Sequence, residues 1–379
     1  MKRIIAMTCI MVLVLTGCGG SNDSNREATA TPAQGRQYVA ADTALLPDES
    51  MYEGDLLLTT ELQTNWQGEP ALYQLRAEVD DDGEEYAALV EYSLNSEGNW
   101  QTKEFCKKEL LKQFREETEH NMDVPFVQRG DDGNLYVLVK RSDDDEQAFG
   151  GPMGQAAEEK PYCSYSVLAI DEGNDTFHEV TLQTKTTTEE GEEIDYAREY
   201  EVTAFHVMED GTVFLVFSGA SAMWFDGVTG IQTNFCPTIA DSAFGKKVAF
   251  GESQMLYYST ASKLFGILDS DTLTVSLHFG EEISEEDRKY EWYFDTDTTT
   301  WQTYAFNQSG LYRISDFGKK ASAIMLSSTG NFDHLANANI YDILVGANEE
   351  LYVLVRRPAE DSTDYAETWE FAVIRYQPR

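Results

Sequence analysis

Five times along this chain a short apolar run stops at a polar turn residue and a second run follows. Glu91–Trp100 leads into Gln101–Phe105, and Ser166–Asp171 into Phe177–Leu182. Ala222–Asp226 leads into Ile231–Phe235, Leu264–Asp269 into Thr274–Phe279, and Leu311–Asp316 into Ala321–Leu326. The turn positions Asn95, Asp171, Asp226, Asp269 and Asp316 recur at intervals of 43 to 76 residues. A second run type precedes each pair, at Leu72-Tyr73, Leu135-Tyr136, Val213-Phe214, Leu256-Tyr257 and Tyr304–Phe306, and occurs a sixth time at Leu351-Tyr352. A third type opens each unit, at Asp55–Leu62, Val124–Gln128, Val202–Met208, Lys247–Gly251, Glu291–Asp295 and Asn339–Val345. The runs are too short and too rich in aromatic and β-branched residues for helices, and Gly, Asp and Asn punctuate them. Only Lys107–His120, with Leu110, Leu111 and Phe114 on one side, reads as an amphipathic helix.

A unit of roughly 40–55 residues carrying four antiparallel strands resembles the blade of a β-propeller. The resemblance covers about residues 50 to 379 and is architectural, because no WD dipeptide, Kelch double-Gly or quinoprotein Trp motif accompanies it. It implies an all-β ring of six blades. The last unit ends three strands in, at Phe371–Tyr376, and would expose a sheet edge. The segment Gln37–Leu46 is the available closing strand. Seven blades or tandem β-sandwiches are the alternatives.

The N-terminus carries a different message. Lys2 and Arg3 precede an apolar run, Ile4–Leu15, too short to span a bilayer but suited to a secretory signal. Leu15-Thr16-Gly17-Cys18 follows and resembles the lipobox of bacterial lipoproteins. The resemblance implies cleavage before Cys18 and acylation of its sulfur, hence a lipid anchor on the extracytoplasmic side of the cell membrane. The stretch 19–35 is rich in Gly, Ser, Thr and Asn with no apolar period, as in a flexible tether. The expected organisation is signal peptide 1–17, tether 18–36 and propeller 37–379.

Charge narrows the partners. With 28 Lys+Arg against 67 Asp+Glu the net charge is −39, which opposes nucleic acid binding. No nucleophile elbow and no phosphate loop occurs. The five histidines, at 120, 178, 206, 278 and 334, form no local ligand pair. His178 and His278 read as half-buried surface residues, and His120 and His334 as loop residues. No cofactor is expected. Calcium is the alternative, on Asp80–Gly83, Asp143–Glu146, Asp269–Asp271 or Asp295–Asp297, although none continues as an EF-hand loop and Asp favours turns on its own account. Cys106 and Cys163 fall in adjacent units, either as thiols or as a disulfide.

In a propeller the turn within the first strand pair and the turn within the second leave the ring at one end, and the remaining connections leave at the other. Here the second class is long: 140–162, 356–368, 106–122, 183–200 and 281–290, with the short turn 80–85. Together these hold 30 of the 67 acidic residues. The expected site is therefore an acidic end carrying Asp80, Asp81, Asp82, Asp143, Asp144, Asp145, Glu189, Glu190, Glu192 and Glu193. The expected function is a lipid-anchored binding or scaffold protein that presents this end to an unknown protein or glycan partner. The alternative is a propeller enzyme acting on glycans with carboxylates at the channel mouth.

Overall fold

A computed structural model describes residues 38–46, 61–79, 85–106, 120–143, 162–187, 191, 193–218, 221–236, 244–250, 254–259, 264–269, 274–278, 293–297, 302–307, 310–315, 320–322, 339–346, 349–358 and 369–378. They form six four-stranded antiparallel sheets and one two-stranded hairpin. In chain order, β1 is Tyr38–Leu45. The first sheet is β2 (Gln63–Thr64), β3 (Pro70–Val79), β4 (Glu85–Leu94) and β5 (Trp100–Phe105). The second is β6 (Asn121–Arg129), β7 (Leu135–Ser142), β8 (Cys163–Asp171) and β9 (Thr176–Thr181). A hairpin, β10 (Lys185–Thr187) and β11 (Glu193–Asp195), and one helical turn, α1 (Tyr196–Glu199), come next.

The third sheet is β12 (Val202–Val207), β13 (Val213–Phe217), β14 (Ser221–Phe225) and β15 (Gln232–Cys236). The fourth is β16 (Phe244–Phe250), β17 (Gln254–Ser259), β18 (Leu264–Asp269) and β19 (Thr274–His278). The fifth is β20 (Tyr293–Asp297), β21 (Gln302–Asn307), β22 (Gly310–Ser315) and β23 (Lys320–Ser322). The sixth holds β24 (Asn339–Val345), β25 (Leu351–Pro358) and β26 (Trp369–Pro378), and β1 completes it in the order β1-β26-β25-β24.

The first strands of successive sheets touch: β2 meets β6, β6 meets β12, β12 meets β16, β16 meets β20 and β20 meets β24. The sixth sheet returns to the first through an apolar cluster in which Leu344, Leu354 and Val373 pack on Leu62, Leu72 and Leu94. This side-by-side ring is a β-propeller, and it overturns tandem sandwiches, in which sheets pair face to face. Closure follows the expected route. Tyr38 lies opposite Pro378 and Leu45 opposite Ala372, with a bulge between Ala40 and Asp42.

Among the described residues the middle strands β7, β13, β14 and β25 are buried along most of their length, which explains their unbroken apolar runs. In β7, Leu135, Val137 and Val139 pack toward the first sheet with Tyr73 and Phe105. Tyr136 and Leu138 of the same strand pack toward the third with Phe205 and Leu215. A strand sandwiched between neighbours in this way loses the apolar/polar alternation of a one-sided sheet.

The first strands have a different problem. Their inner edges have no ladder partner, so their backbone groups need other acceptors and donors. Side chains of neighbouring first strands supply them. Gln63 donates to the Val127 carbonyl and accepts from the Arg129 N–H, both at 2.6 Å. The Val345 N–H donates to Asp295 at 2.7 Å, and the Leu62 N–H donates to Asp342 at 2.6 Å.

Two expectations are corrected. The opening strand of the first sheet among the described residues is Gln63–Thr64, and the expected strand Asp55–Leu62 lies outside the described residues except for Glu61 and Leu62, which are not in a strand. Leu62 donates to Asp342 in the sixth sheet, and Pro70, opposite Thr64, brings no N–H to the ladder. The connection 183–200 holds the β10–β11 hairpin and α1, where no element was expected. The expected helix Lys107–His120 lies outside the described residues except for His120. No helix among the described residues is long and apolar enough to cross a membrane.

Candidate functional site

At the short-turn end, Arg129 is the centre of a buried polar cluster between the first and second sheets. Its guanidinium donates to the Tyr73 hydroxyl from Nε (3.2 Å) and Nη2 (2.9 Å), to Glu172 (2.7 Å) and to the Gly133 carbonyl (2.7 Å). Glu91 lies 3.6 Å away and also accepts from Asn65 at 3.2 Å. Burial pushes the Tyr73 phenol well above its ordinary value, against the pull of Arg129. Burial disfavours the Arg129 charge, but Tyr73 and Glu172 outweigh it and hold the guanidinium protonated. Along the same end, His206 of β12 contacts Asp131 through Nε2 (2.9 Å) and Gln128 through Nδ1 (3.2 Å). A carboxylate only accepts, so Nε2 donates to Asp131. Both clusters tie sheet to sheet.

At the other end, the connection before β6 meets both ends of the connection between β7 and β8. His120 precedes β6, Asp143 follows β7, and Tyr162 precedes β8. Asp143 accepts from His120 Nδ1 at 2.9 Å and from the Tyr162 N–H at 2.7 Å, while its own N–H donates to the Tyr162 carbonyl at 3.1 Å. The two rings stack at 4.1 Å with an interplanar angle of 18°, and the Tyr162 hydroxyl bonds Ser164 at 2.9 Å. The Tyr162 N–H and then His120 hold the Asp143 carboxyl below its ordinary range, and the Arg198 charge of α1 adds to this.

Arg198 itself pairs with Asp195 at 3.4 Å, and Lys140 pairs with Glu201 at 2.7 Å. The hairpin is seated by Tyr196, whose ring packs on Tyr200, Phe217 and Phe235. Thr184 donates to Asp195 at 2.8 Å and fixes the base. Burial pushes the Cys163 thiol up to about 11, with Lys140 opposing.

Asp143 thus stands where the acidic end was expected, and exposed Glu193 sits on β11, 3.6 Å from Lys185. Cys18, Asp80, Asp81, Asp82, Asp144, Asp145, Glu189, Glu190 and Glu192 lie outside the described residues. So do most of the calcium candidates. Asp295, which is described, accepts a backbone N–H from β24. Among the described residues no group of three His, Cys, Asp or Glu side chains is placed to hold a metal ion. Cys106, Cys163 and Cys236 are not in disulfides. Cys106 instead contacts the Thr176 carbonyl at 3.3 Å, so the Cys106–Cys163 bridge is not made. His178 is exposed rather than half-buried, because it alternates outward on the outermost strand β9. His120 and Tyr162 had no assigned role in the sequence; only their positions flanking the connection to Asp143 hinted at one.

No protein family matches this chain, and no curated protein matches it. Solved structures do. The chain is similar to the WD40 β-propeller domain of Doa1, at 10% identity and a TM-score of 0.42, covering 90% of this chain and 97% of that one. A chain of the Mitotic Checkpoint Complex matches at 11% identity and a TM-score of 0.44, covering 97% and 98%. A catalytically inactive virginiamycin B lyase from Staphylococcus aureus, crystallised with quinupristin, matches at 10% identity and a TM-score of 0.40, covering 81% and 98%. The assignment of the fold rests on the six sheets of this chain.

Proposed function

We propose that the chain is a lipid-anchored, extracytoplasmic binding or scaffold protein. Cys18 carries the lipid, residues 18–36 form the tether, and the propeller presents its long-connection end to a protein partner. The observation that carries the reading is the convergence of His120, Asp143, Tyr162 and the hairpin-bearing connection at one end. Long connections on a rigid frame are where binding surfaces are usually built. The inner-strand polar side chains support it further. Gln63, Asp295 and Asp342 are engaged by backbone groups of neighbouring strands. A glycan-cleaving site would instead need such carboxylates directed at a substrate.

The test has two arms. Wild-type protein and Cys18→Ala are compared by membrane fractionation, and proteins retained by the wild type from detergent-solubilised membranes are identified. The expected result is loss of membrane association in Cys18→Ala, together with a partner retained by wild type but not after truncation of the 183–200 hairpin. Identical fractionation of the two forms overturns the anchor. Partner capture that is indifferent to the hairpin overturns the placement of the binding end.

A further inference from the structure

The His120–Tyr162 pair is an aromatic held at the surface by polar groups. Tyr162 is 36% exposed, yet little about it is loose. His120 covers one ring face, Asp143 fixes its backbone from both sides, and Ser164 fixes its hydroxyl. His120 stacks on one face of the ring, and the residue is still 36% exposed. Apolar burial does not explain an ordered aromatic in this position, since burial would draw the ring inward. A rigid exposed ring is instead suited to binding, because little side-chain entropy remains to be lost on contact.

The chemistry around the ring selects the ligand. An aromatic face presents negative quadrupole to whatever lies over it. Beside it stands Asp143, whose side chain is 43% exposed. The described cations nearby are matched to closer acids: Lys140 to Glu201, Arg198 to Asp195, and Arg141 to Glu179 at 2.7 Å. The described parts of the connections that leave at this end carry Asp143, Glu193, Asp195 and Glu199, in a protein of net charge −39. A ring face, an accessible carboxylate and an acidic surround together complement a guanidinium or ammonium group.

We infer that Tyr162 and Asp143, braced by His120, receive an Arg or Lys side chain of a basic segment in a protein partner. The ring takes the cation by a cation–π contact, Asp143 takes its N–H groups, and the acidic connections attract the segment at longer range. This rests on the binding-protein reading above and names the chemistry of its partner.

The probe is a ten-residue Gly-Arg peptide, titrated into the full-length lipidated protein in detergent micelles and followed by calorimetry. A neutral β-linked glucan is the second ligand. Wild type, Tyr162→Ala, Tyr162→Phe and Asp143→Asn are compared, with thermal melting to establish that each is folded. Should Tyr162→Ala fail to fold, Tyr162→Leu takes its place. The expected result is peptide binding weakened about three-fold or more by Tyr162→Ala and Asp143→Asn and retained by Tyr162→Phe. Peptide binding that Tyr162→Ala leaves unchanged overturns the ring contact while the acidic end survives as a diffuse attraction. Absence of peptide binding overturns the inference together with the acidic end. Glucan binding that depends on Tyr162, with no response to the peptide, also overturns it, because stacking on a sugar face would then be the ring's purpose.

Discussion

Arg129 of the second sheet and Glu91 of the first face each other at 3.6 Å with side chains only 6% and 3% exposed. A buried charge is tolerable only while its partners remain, so deletion of one member leaves the other stranded in a medium that solvates it poorly. Arg129→Ala is expected to destabilise the protein by about 3–5 kcal/mol, read from the urea midpoint at unchanged slope. The paired change Arg129→Met with Glu91→Gln is expected to lose clearly less. Equal losses for the single and double variants contradict the view that stranded charge is the main penalty.

Ring closure depends on β1. Deleting residues 38–45 uncovers the whole edge of β26 and removes the contacts of Tyr38 with the sixth-sheet core. The variant is expected to melt on the order of 10 °C lower and to aggregate through the open edge. A melting midpoint matching the full chain would show that the ring holds without its fourth strand there.

Gly230, in the turn between β14 and β15, has φ +68, and a Cβ built on it would sit 2.0 Å from the Thr181 carbonyl oxygen of the preceding sheet. The left-handed backbone and the close approach both require glycine. Gly230→Ala is expected to cost about 2–4 kcal/mol, since the turn must withdraw from β9. Thermal melting checks it, and an unchanged midpoint would mean that the turn moves without consequence.

Cys163 has its thiol pushed up to about 11, chiefly by burial. The raised value marks a thiolate that burial disfavours, so at neutral pH the nucleophilic form is scarce. Alkylation of Cys163 by iodoacetamide is expected to be slower than that of a small free thiol at pH 8, and to keep accelerating as pH rises toward 11. A rate that levels off near pH 9 would place the thiol at its ordinary value and remove burial as the controlling factor.

The tyrosines that follow the first turns show how far local pattern reaches. The run Leu-Tyr-Val-Leu-Val occurs at 135–139 and again at 351–355. In each copy a glycine six residues before the tyrosine lets its ring approach, with a built Cβ 2.9 Å from Tyr136 at Gly130 and 2.6 Å from Tyr352 at Gly346. In each copy the tyrosine hydroxyl donates to a turn acid, Asp132 at 2.6 Å and Glu350 at 2.9 Å. Burial and that acid push the Tyr352 phenol up to about 12. All of this is encoded within one unit, which is why the repeat, the strand order and the need for a closing strand are legible in the sequence.

The sequence alone determined the class of fold, because strand period, turn chemistry and unit length are local properties that repeat. It also marked the connections rich in acid. It could not reveal that Gln63 would reach Val127, that Leu62 would donate to Asp342, or that Arg129 would settle among Tyr73, Glu91 and Glu172. Those partners belong to different units, and a single chain carries no record of which side chains face each other across a sheet-to-sheet junction. The same holds for His120, Asp143 and Tyr162. They are separated by long connections and meet only because β6, β7 and β8 begin or end at one edge of the second sheet. Antiparallel register decided that meeting, and register is fixed where both faces of a strand are buried, as they are in β7.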